Sequence, residues 1–355
     1  MWLKTLLLNS ARSKGFHPLY DSVRFGQALE RERARADRWG QTLSLLSLGS
    51  VHSKPGQATL RHVVRVLRRR MRVTDEAGWL DGKNIGILLP NTPASGAWTL
   101  AEKICSEFPA HIPRPKCRVY CYPSDWFLGD ENRAAEVDHS SGETRRAEAM
   151  EPLFFQGLPL WKRALDLAGA SFGLVLLLPV MLLVGALLKM TSRGPVFFRQ
   201  SRVGLGGRPF TMVKFRTMVV GAERLQARLL DQNEQEGPIF KITNDPRITG
   251  IGRFLRKTSL DELPQLWNVL LGEMSLVGPR PPLQKEVVQY ESWQRRRLFV
   301  TPGITCIWQV KGRSRIGFTD WMRMDLEYIE ARSPWSDLKL LFLTVPAVLL
   351  RRGAS

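Results

Sequence analysis

The strongest hydrophobic pattern in the chain is an unbroken apolar segment at residues 167–188, with Pro179 near its middle. An α-helix needs about 20 apolar residues to span a bilayer, so this segment is long enough to reach membrane depth. Inside a helix, Pro179 removes one backbone hydrogen bond and crowds the carbonyl of Val175. We expect a re-entrant helix at residues 162–189 that breaks at the proline and returns to the same membrane face. A straight crossing stays the alternative, because transmembrane helices tolerate proline.

Charged residues flank this apolar segment at both ends: Lys162, Arg163, Asp166, Lys189 and Arg193. Long cationic side chains at the ends of a membrane segment extend toward lipid headgroups, so we expect these residues at the membrane interface. A crossing helix would place the two halves of the chain on opposite sides of the membrane. Because nothing in residues 1–125 is typical of an exported domain, we expect both halves on the cytoplasmic face.

Residues up to about 125 alternate between helical and strand periodicity. The predicted elements are a helix at 25–38, a strand at 42–48, a helix at 58–71, a strand pair at 79–90, a helix at 97–108 and a strand near Val119. The succession of strand, helix, two strands, helix and strand is typical of a ferredoxin-like βαββαβ domain.

A polar segment follows this alternation. Residues 129–150 are poor in large apolar side chains and bury too little surface to order themselves, which predicts a linker at 126–155. A chain of 355 residues also favours two domains. The predicted fold class is α+β: the βαββαβ domain at 1–125, then a mostly helical monotopic membrane domain at 156–355 with a helix-break-helix and a small β-hairpin.

The net charge of +19 adds a preference for phosphate-bearing partners. Because the chain holds a membrane segment and shows no RNA-binding motif or zinc-finger spacing, we expect anionic membrane lipids as partners and no nucleic acid. Four cysteines in so long a chain form no disulfide framework, which fits a reducing compartment. The oligomeric state stays open, a homo-oligomer included.

Candidate chemistry in the second half depends on carboxylates, because no histidine follows His139. Asp261 and Glu262 are adjacent, and the spacing of Ser259 and Glu262 also fits a plain helix capping box. Arg256 lies just upstream as a phosphate partner. Two stiff, cation-bearing loops lie downstream, one at 275–282 and a second made of 301–305 and 311–313. Two carboxylates among arginines and rigid loops favour magnesium-assisted phosphoryl transfer over proton transfer.

Three segments of the first half and their spacing, at 31–35, 43–46 and 79–90, resemble the diguanylate cyclase (GGDEF) family. The turn that would carry Gly-Gly-Asp-Glu-Phe reads Asp-Gly-Lys-Asn-Ile at residues 81–85, so both acidic positions are lost. The resemblance implies a degenerate, non-cyclising domain used for regulation or contacts. It also keeps a second hypothesis open, in which the chain is a membrane-tethered nucleotide sensor without transferase activity.

A series of motifs from Trp161 to the C-terminus is similar to the bacterial sugar transferases, which are monotopic phosphoglycosyl transferases acting on polyprenyl phosphate. The motifs are Lys-Arg-Ala-Leu-Asp at 162–166, Lys-Phe-Arg-Thr-Met at 214–218, Asn-Asp-Pro-Arg-Ile-Thr at 244–249, the segment 256–265, Gly-Pro-Arg-Pro at 278–281 and Pro-Gly-Ile-Thr at 302–305. The pattern at 308–310 and 325–329 resembles the branch that starts exopolysaccharide or capsule repeat units. Many relatives place serine before the membrane-helix proline, where this chain has Leu178.

The second resemblance implies a covalent mechanism at the cytoplasmic face of the bacterial inner membrane. It implies that Asp261 attacks the β-phosphate of a UDP-sugar, releases UMP and passes the phosphosugar to undecaprenyl phosphate. It implies Mg²⁺ at Glu262 and Asp261. It also implies phosphate or nucleotide contacts for Arg256, Pro279, Arg280 and Arg313. No residue type selects among sugars, so the sugar and the polysaccharide pathway stay open.

Overall fold

The computed structural model describes residues 19–49, 56–126, 146–234, 237–240, 242, 244–311 and 316–349. The chain divides into two compact units, Met1–Phe154 and Phe155–Ser355. Both units combine helices with strands, which confirms the α+β class.

The first unit is built around a five-stranded sheet. Its strands are β1 (Leu43–Gly49), β2 (Glu76–Trp79), β3 (Ile85–Pro90), β4 (Lys116–Tyr122) and β5 (Glu148–Ala149), and its helices are α1 (Ser22–Trp39), α2 (Gly56–Arg70) and α3 (Ala94–Ser106). The strand order is β2-β3-β1-β4-β5, with antiparallel pairing among the first four and a parallel β4–β5 pair. Apolar side chains of β1 and β3, such as Leu46 and Ile87, form one core with Val63 of α2 and Ile104 of α3.

The segment predicted as a linker, 126–155, is partly folded. Residues 127–145 lie outside the described part of the chain, but β5 joins the sheet and a 3₁₀ turn follows at Glu151–Phe154. Met150 is buried, and the buried Glu151 accepts hydrogen bonds from the backbone and the hydroxyl of Ser124. The linker prediction is therefore wrong for residues 148–154, because these side chains pack into the first unit.

One helix of the second unit, α4 (Leu160–Thr191), carries the apolar segment and is long and apolar enough to cross a membrane. The chain is helical from Leu160 to Thr191 with Pro179 inside the helix, and the re-entrant bend at the proline stays a prediction. The hydrogen bonds on either side preserve the helix where the proline removes one. Apolar side chains in the middle of the helix are between 52% and 76% exposed: Phe172, Val175, Leu176, Leu178, Leu182 and Leu183.

Both ends of α4 pack into the second unit, in two separate clusters. Near its start, Ala170 is buried in a cluster with Val269 and Leu276. Near its end, Leu188 is buried in a cluster with Phe215. The unit therefore holds the helix at both ends and leaves its apolar middle uncovered.

The remaining elements of the second unit surround these clusters. Strands β6 (Phe197–Val203) and β7 (Pro209–Phe215) form the predicted hairpin, and β8 (Ser275–Val277) and β9 (Gly303–Thr305) form a short parallel pair. The helices are α5 (Ala222–Gln226), α6 (Gly250–Thr258), α7 (Gln265–Leu271), α8 (Gln284–Val287), α9 (Ser292–Arg295), α10 (Ile307–Lys311), α11 (Phe318–Ala331) and α12 (Pro334–Leu349).

Helix α6 approaches the segment after β7 closely because residue 252 is glycine. A Cβ at Gly252 would lie 2.0 Å from the carbonyl oxygen of Thr217, whereas a Cβ at Gly250 in the same helix would meet open space. We expect Gly252→Ala to destabilise the second unit by about 1–3 kcal/mol, because backbone cannot move aside as a side chain can. Gly250→Ala, the matched control, should leave the midpoint of thermal unfolding in detergent nearly unchanged. Equal midpoints for the two variants would contradict this close packing.

Candidate active site

The two adjacent carboxylates lie on a single 3₁₀ turn, Leu260–Glu262, between α6 and α7. Ser259 ends α6 with a left-handed φ of 56°, so the new turn begins at once. The predicted capping box is wrong: a capping residue needs extended backbone, and the Ser259 side chain does not cap the turn. Pro264 then restricts the entry to α7. Backbone conformation thus fixes the carboxylate turn from both sides.

Asp261 is the more buried carboxylate of the pair, with 8% of its surface exposed. Burial and the negative charge of Glu262 raise the pKa of Asp261 to about 6, whereas the cations of Lys214 and Arg256 act to lower it. A buried carboxylate whose pKa is raised toward neutral pH, with charges of both signs nearby, is typical of a reactive group rather than of a surface ion pair.

Lys214 of β7 is the direct partner of the second carboxylate. Its Nζ donates a hydrogen bond of 2.6 Å to Oε1 of Glu262. Burial lowers the pKa of Lys214, and the nearby charge of Arg280 acts in the same direction, while Glu262 and Asp261 oppose both effects. The hairpin therefore delivers a cation to the turn that carries the carboxylates.

Arg256, in the last turn of α6, is the second cation beside Asp261. Its Nε donates a 2.9 Å hydrogen bond to Oγ1 of Thr217, which holds the guanidinium in place. Burial lowers the pKa of Arg256, and the carboxylates of Asp261 and Asp245 oppose that effect. The structure thus brings Arg256 close to Asp261, and its phosphate-binding role stays a prediction.

The Asn-Asp-Pro-Arg-Ile-Thr motif at 244–249 builds the start of α6. Asp245 accepts hydrogen bonds from Nε and Nη2 of Arg247. These bonds lower the pKa of Asp245 although burial acts to raise it. Thr249 caps α6 by accepting from the backbone nitrogen of Gly252 at 3.0 Å. The motif therefore sets the position from which α6 presents Arg256.

Pro279 and Arg280 lie in the loop after β8. Pro279 is buried, and its carbonyl accepts a 2.8 Å hydrogen bond from the backbone nitrogen of Gly303. Arg280 is half-buried, and its charge acts on Lys214, Arg256 and Arg202 by lowering the pKa of each. The loop thus brings a further cation to the site. The hydrogen bond from Gly303 holds the backbone of this loop beside the parallel pair of β8 and β9.

The residues at the start of α4 do not lie where the sequence predicted. Lys162 is buried, donates to the Val277 carbonyl at 2.9 Å and pairs with Asp337 of α12. Asp166 is buried and accepts from the hydroxyl of Ser275 and the backbone nitrogen of Leu276, both at 2.9 Å. Their predicted interface role is wrong, because both side chains are buried and hydrogen-bonded inside the unit.

Arg163 also faces the unit. It donates hydrogen bonds of 2.7 Å to the carbonyls of Val269 and Leu270 at the end of α7. Cations near the last turn of a helix satisfy carbonyls that lack helical partners. Arg163 therefore holds α7, which follows the carboxylate turn, rather than extending toward headgroups.

Pro179 remains exposed in the middle of α4. Arg313 lies outside the described residues.

A metal ion would need ligands from the substrate as well as from this site. Within the described part of the chain, no group of three His, Cys, Asp or Glu side chains could hold an ion by itself. Mg²⁺ at phosphate-transfer sites commonly takes one or two carboxylates together with substrate phosphates. The like charges of Asp261 and Glu262, which raise the pKa of Asp261, fit such a divalent cation.

Sequence reasoning left three contributors without a role: Lys214, Thr217 and Asp245. Lys214 and Thr217 belong to the Lys-Phe-Arg-Thr-Met motif at 214–218, and Asp245 belongs to the Asn-Asp-Pro-Arg-Ile-Thr motif. The motifs marked these segments, but the pairing of Lys214 with Glu262 spans 48 residues. Only the packing of β7 against the turn shows which cation meets which carboxylate.

The second unit matches known proteins across most of its length. The model of the bacterial sugar transferase family matches residues 158–351. Galactosyl transferase CpsE of Streptococcus agalactiae is 49% identical over 195 residues, which are 54% of this chain and 43% of that protein. Undecaprenyl-phosphate galactose phosphotransferase of Salmonella typhimurium is 41% identical over 199 residues, which are 54% of this chain and 41% of that protein.

The family match covers more than half of the chain, so the chain belongs to the bacterial sugar transferase family. Its matched part spans about two fifths of the length of each of these two relatives. Among solved structures, the GGDEF domain of DgcB from Caulobacter crescentus is 20% identical, with 31% of this chain and 75% of that chain covered. Its TM-score of 0.26 supports no argument about fold or function.

Proposed function

We propose that the chain is a membrane-bound phosphoglycosyl transferase, which moves a phosphosugar from a UDP-sugar to undecaprenyl phosphate and releases UMP. The observation that carries the proposal is the buried Asp261 carboxylate among the cations of Lys214, Arg256 and Arg280. Such a site offers a nucleophile and a cradle for a diphosphate. The name of the Salmonella typhimurium relative supports these substrate classes. The product would start an exopolysaccharide, capsule or O-antigen repeat unit.

The proposed reaction has two steps at one phosphorus atom. First, an ionised oxygen of Asp261 bonds to the β-phosphorus while the bond from that phosphorus to the bridging oxygen breaks. UMP leaves with the electron pair, and the phosphosugar stays on the carboxylate. Second, an oxygen of undecaprenyl phosphate bonds to the same phosphorus and the aspartyl oxygen leaves as a free carboxylate. Lys214, Arg256 and Arg280 stabilise the negative charge on the phosphate oxygens.

Glu262 and Asp261 would hold Mg²⁺ together with phosphate oxygens of the substrate. When bound, the ion supplies Lewis-acid charge that offsets negative charge developing on the phosphates. The hydrogen bond from Lys214 orients the Glu262 carboxylate within the site.

We further propose that α4 is re-entrant, with Pro179 at its membrane bend, and that both units lie on the cytoplasmic face of the bacterial inner membrane. The packing of both ends of α4 into the second unit supports this topology, because a straight crossing would draw one end away from the unit. The exposed apolar middle of the helix supports contact with lipid.

For the first unit we propose a ferredoxin-like domain with a regulatory or interaction role. The antiparallel order β2-β3-β1-β4, with two helices on the sheet, supports that arrangement. A cavity of about 500 Å³ supports binding of a nucleotide signal by this unit, because its lining combines apolar Phe25 and Leu29 with Asn84, Lys116 and Arg118.

Replacement of the nucleophile tests the covalent step. We expect Asp261→Asn to reduce UMP release from UDP-sugars by at least about 1,000-fold, because an amide cannot attack the phosphorus. The unchanged chain, incubated without undecaprenyl phosphate, should gain the mass of one phosphosugar. Asp320→Asn is the control, because Asp320 forms an exposed pair with Arg323. Full turnover by the Asp261 variant, with one UDP-sugar of a panel as donor, would refute the mechanism.

The pH dependence of UMP release tests the state of the carboxylate. Because attack requires ionised Asp261, whose pKa is raised to about 6, we expect kcat/KM to fall about tenfold per pH unit below about pH 6. Lys214→Met removes a cation that lowers this pKa, so the midpoint should move to higher pH. Arg199→Met, an exposed cation on the adjacent strand, should leave it unchanged. An unchanged midpoint in Lys214→Met would contradict the conclusion that the charge of Lys214 lowers the pKa of Asp261.

Labelling of exposed positions tests the topology. Arg24→Cys in the first unit and Asp320→Cys in the second place thiols where the native side chains are 74% and 65% exposed. We expect a membrane-impermeant maleimide to label neither site in intact spheroplasts and both in broken ones. The chain without added cysteines corrects for its native thiols. Labelling of one site alone in intact spheroplasts would show that α4 crosses the membrane.

A further inference from the structure

The loop that carries Arg280 has every carbonyl from residue 279 to residue 282 hydrogen-bonded to a different partner. The backbone N–H of Gly303 donates to the carbonyl of Pro279, and the backbone N–H of Val203 donates to the carbonyl of Pro282. The carbonyl of Pro281 accepts from Arg202 at 3.1 Å, and that of Arg280 accepts from Nη2 of Arg297 at 2.7 Å. With three prolines in these four residues, the loop has little freedom left and presents one cationic side chain.

Arg297 is the fully buried side chain among these four donors, so it cannot itself reach a substrate. Only 2% of its surface is exposed. The same Nη2 that binds the Arg280 carbonyl lies 2.7 Å from Oδ2 of Asp325 in α11, and Nη1 donates to the Tyr290 hydroxyl at 2.9 Å. The guanidinium also lies 5.0 Å from the ring centre of Trp321. Arg297 therefore acts on its surroundings only through these neighbours.

The buried ion pair is not explained by stability alone. Burial raises the pKa of Asp325 to about 6 even with Arg297 beside it, so the charged carboxylate is kept at a cost to folding near neutral pH. Well-packed apolar side chains commonly replace such a pair without loss of stability. What an apolar pair cannot replace is the hydrogen bond to the Arg280 carbonyl.

We propose that Arg297, held by Asp325, is a positioning residue that fixes the backbone of Arg280 so that the Arg280 side chain meets the diphosphate of the nucleotide sugar. The proposal rests on the proposed function, because it takes that diphosphate as the ligand of Arg280. A planar guanidinium can serve the carbonyl, the carboxylate and the hydroxyl at once, whereas the single ammonium of lysine cannot reproduce this fork. Replacement of Arg297 should therefore remove the contribution that Arg280 makes to binding of the diphosphate.

A double-mutant cycle on UDP binding tests this coupling. The full-length chain in detergent is titrated with UDP by calorimetry, as the unchanged protein, Arg280→Met, Arg297→Lys and the double variant. We expect each single variant to weaken binding about 10–100-fold, because a displacement of about 1 Å has effects of that size. The double variant should bind no more than about threefold more weakly than Arg280→Met, since the second change removes nothing further. If the double variant instead loses UDP affinity by the product of the two single losses, the proposal is overturned.

Arg296→Lys is the matched control. Arg296 is the neighbouring residue and also reaches α11, where it pairs with Glu330 at 3.0 Å, but that partner is 67% exposed. We expect UDP affinity within about twofold of the unchanged chain, because exposed pairs contribute little. A loss as large as that of Arg297→Lys would show that contact with α11, and not placement of Arg280, controls binding.

A paired replacement separates positioning from folding. Arg297→Met combined with Asp325→Leu removes both charges and keeps the core apolar. We expect the midpoint of thermal unfolding to stay near that of the unchanged chain while UDP affinity falls as it does in Arg297→Lys. Retained affinity in this variant would overturn the proposal.

UMP release, measured in parallel on the same variants, distinguishes the two proposals. UDP binding with the coupled losses but no UMP release from any UDP-sugar would overturn the transferase function and leave the positioning role standing. UMP release with independent losses would overturn only the positioning role. A chain that neither binds UDP nor releases UMP would overturn both.

Discussion

The second unit is organised around one constraint, which is the burial of the Asp261 carboxylate away from water. A buried charge costs several kcal/mol unless partners offset that cost. The partners come from different elements, Lys214 from β7 and Arg256 from α6, and the loop after β8 brings the charge of Arg280 close to both cations. Each of these cations would itself be costly to bury alone. The strands, the helix and the loop must therefore be in register before any of the charges is stable.

The same rule governs the base of α4. A helix that begins with buried Lys162 and Asp166 needs polar partners inside the unit, and these come from α12 and from the start of β8. Because β8 also leads into the loop of Arg280, the start of α4 and that loop are held by the same strand.

Periodicity and motif order predicted the α+β class and the family, and both are confirmed. They could not predict partners far apart in the chain. Lys162 and Asp166 have the composition of interface residues, and only packing shows that Asp337 pairs with Lys162 and that Ser275 donates a hydrogen bond to Asp166. Ser259 and Glu262 have the spacing of a capping box, but the positive φ at Ser259 excludes it. The polar composition of residues 126–155 gave no sign that Met150 and Phe154 would be buried. The roles of Asp261, Glu262, Arg256, Pro279 and Arg280 remain predictions, and that of Arg313 lies outside the described residues.

The pairing of Lys162 with Asp337 also has a consequence for the order in which the protein is made. The two residues are separated by 175 positions, so a ribosome adds the lysine long before its counter-ion exists. Until α12 emerges, the first turn of α4 carries a charge that the interior of the second unit cannot accept without its partner. The start of α4 can therefore take its final position only after α12 has been made.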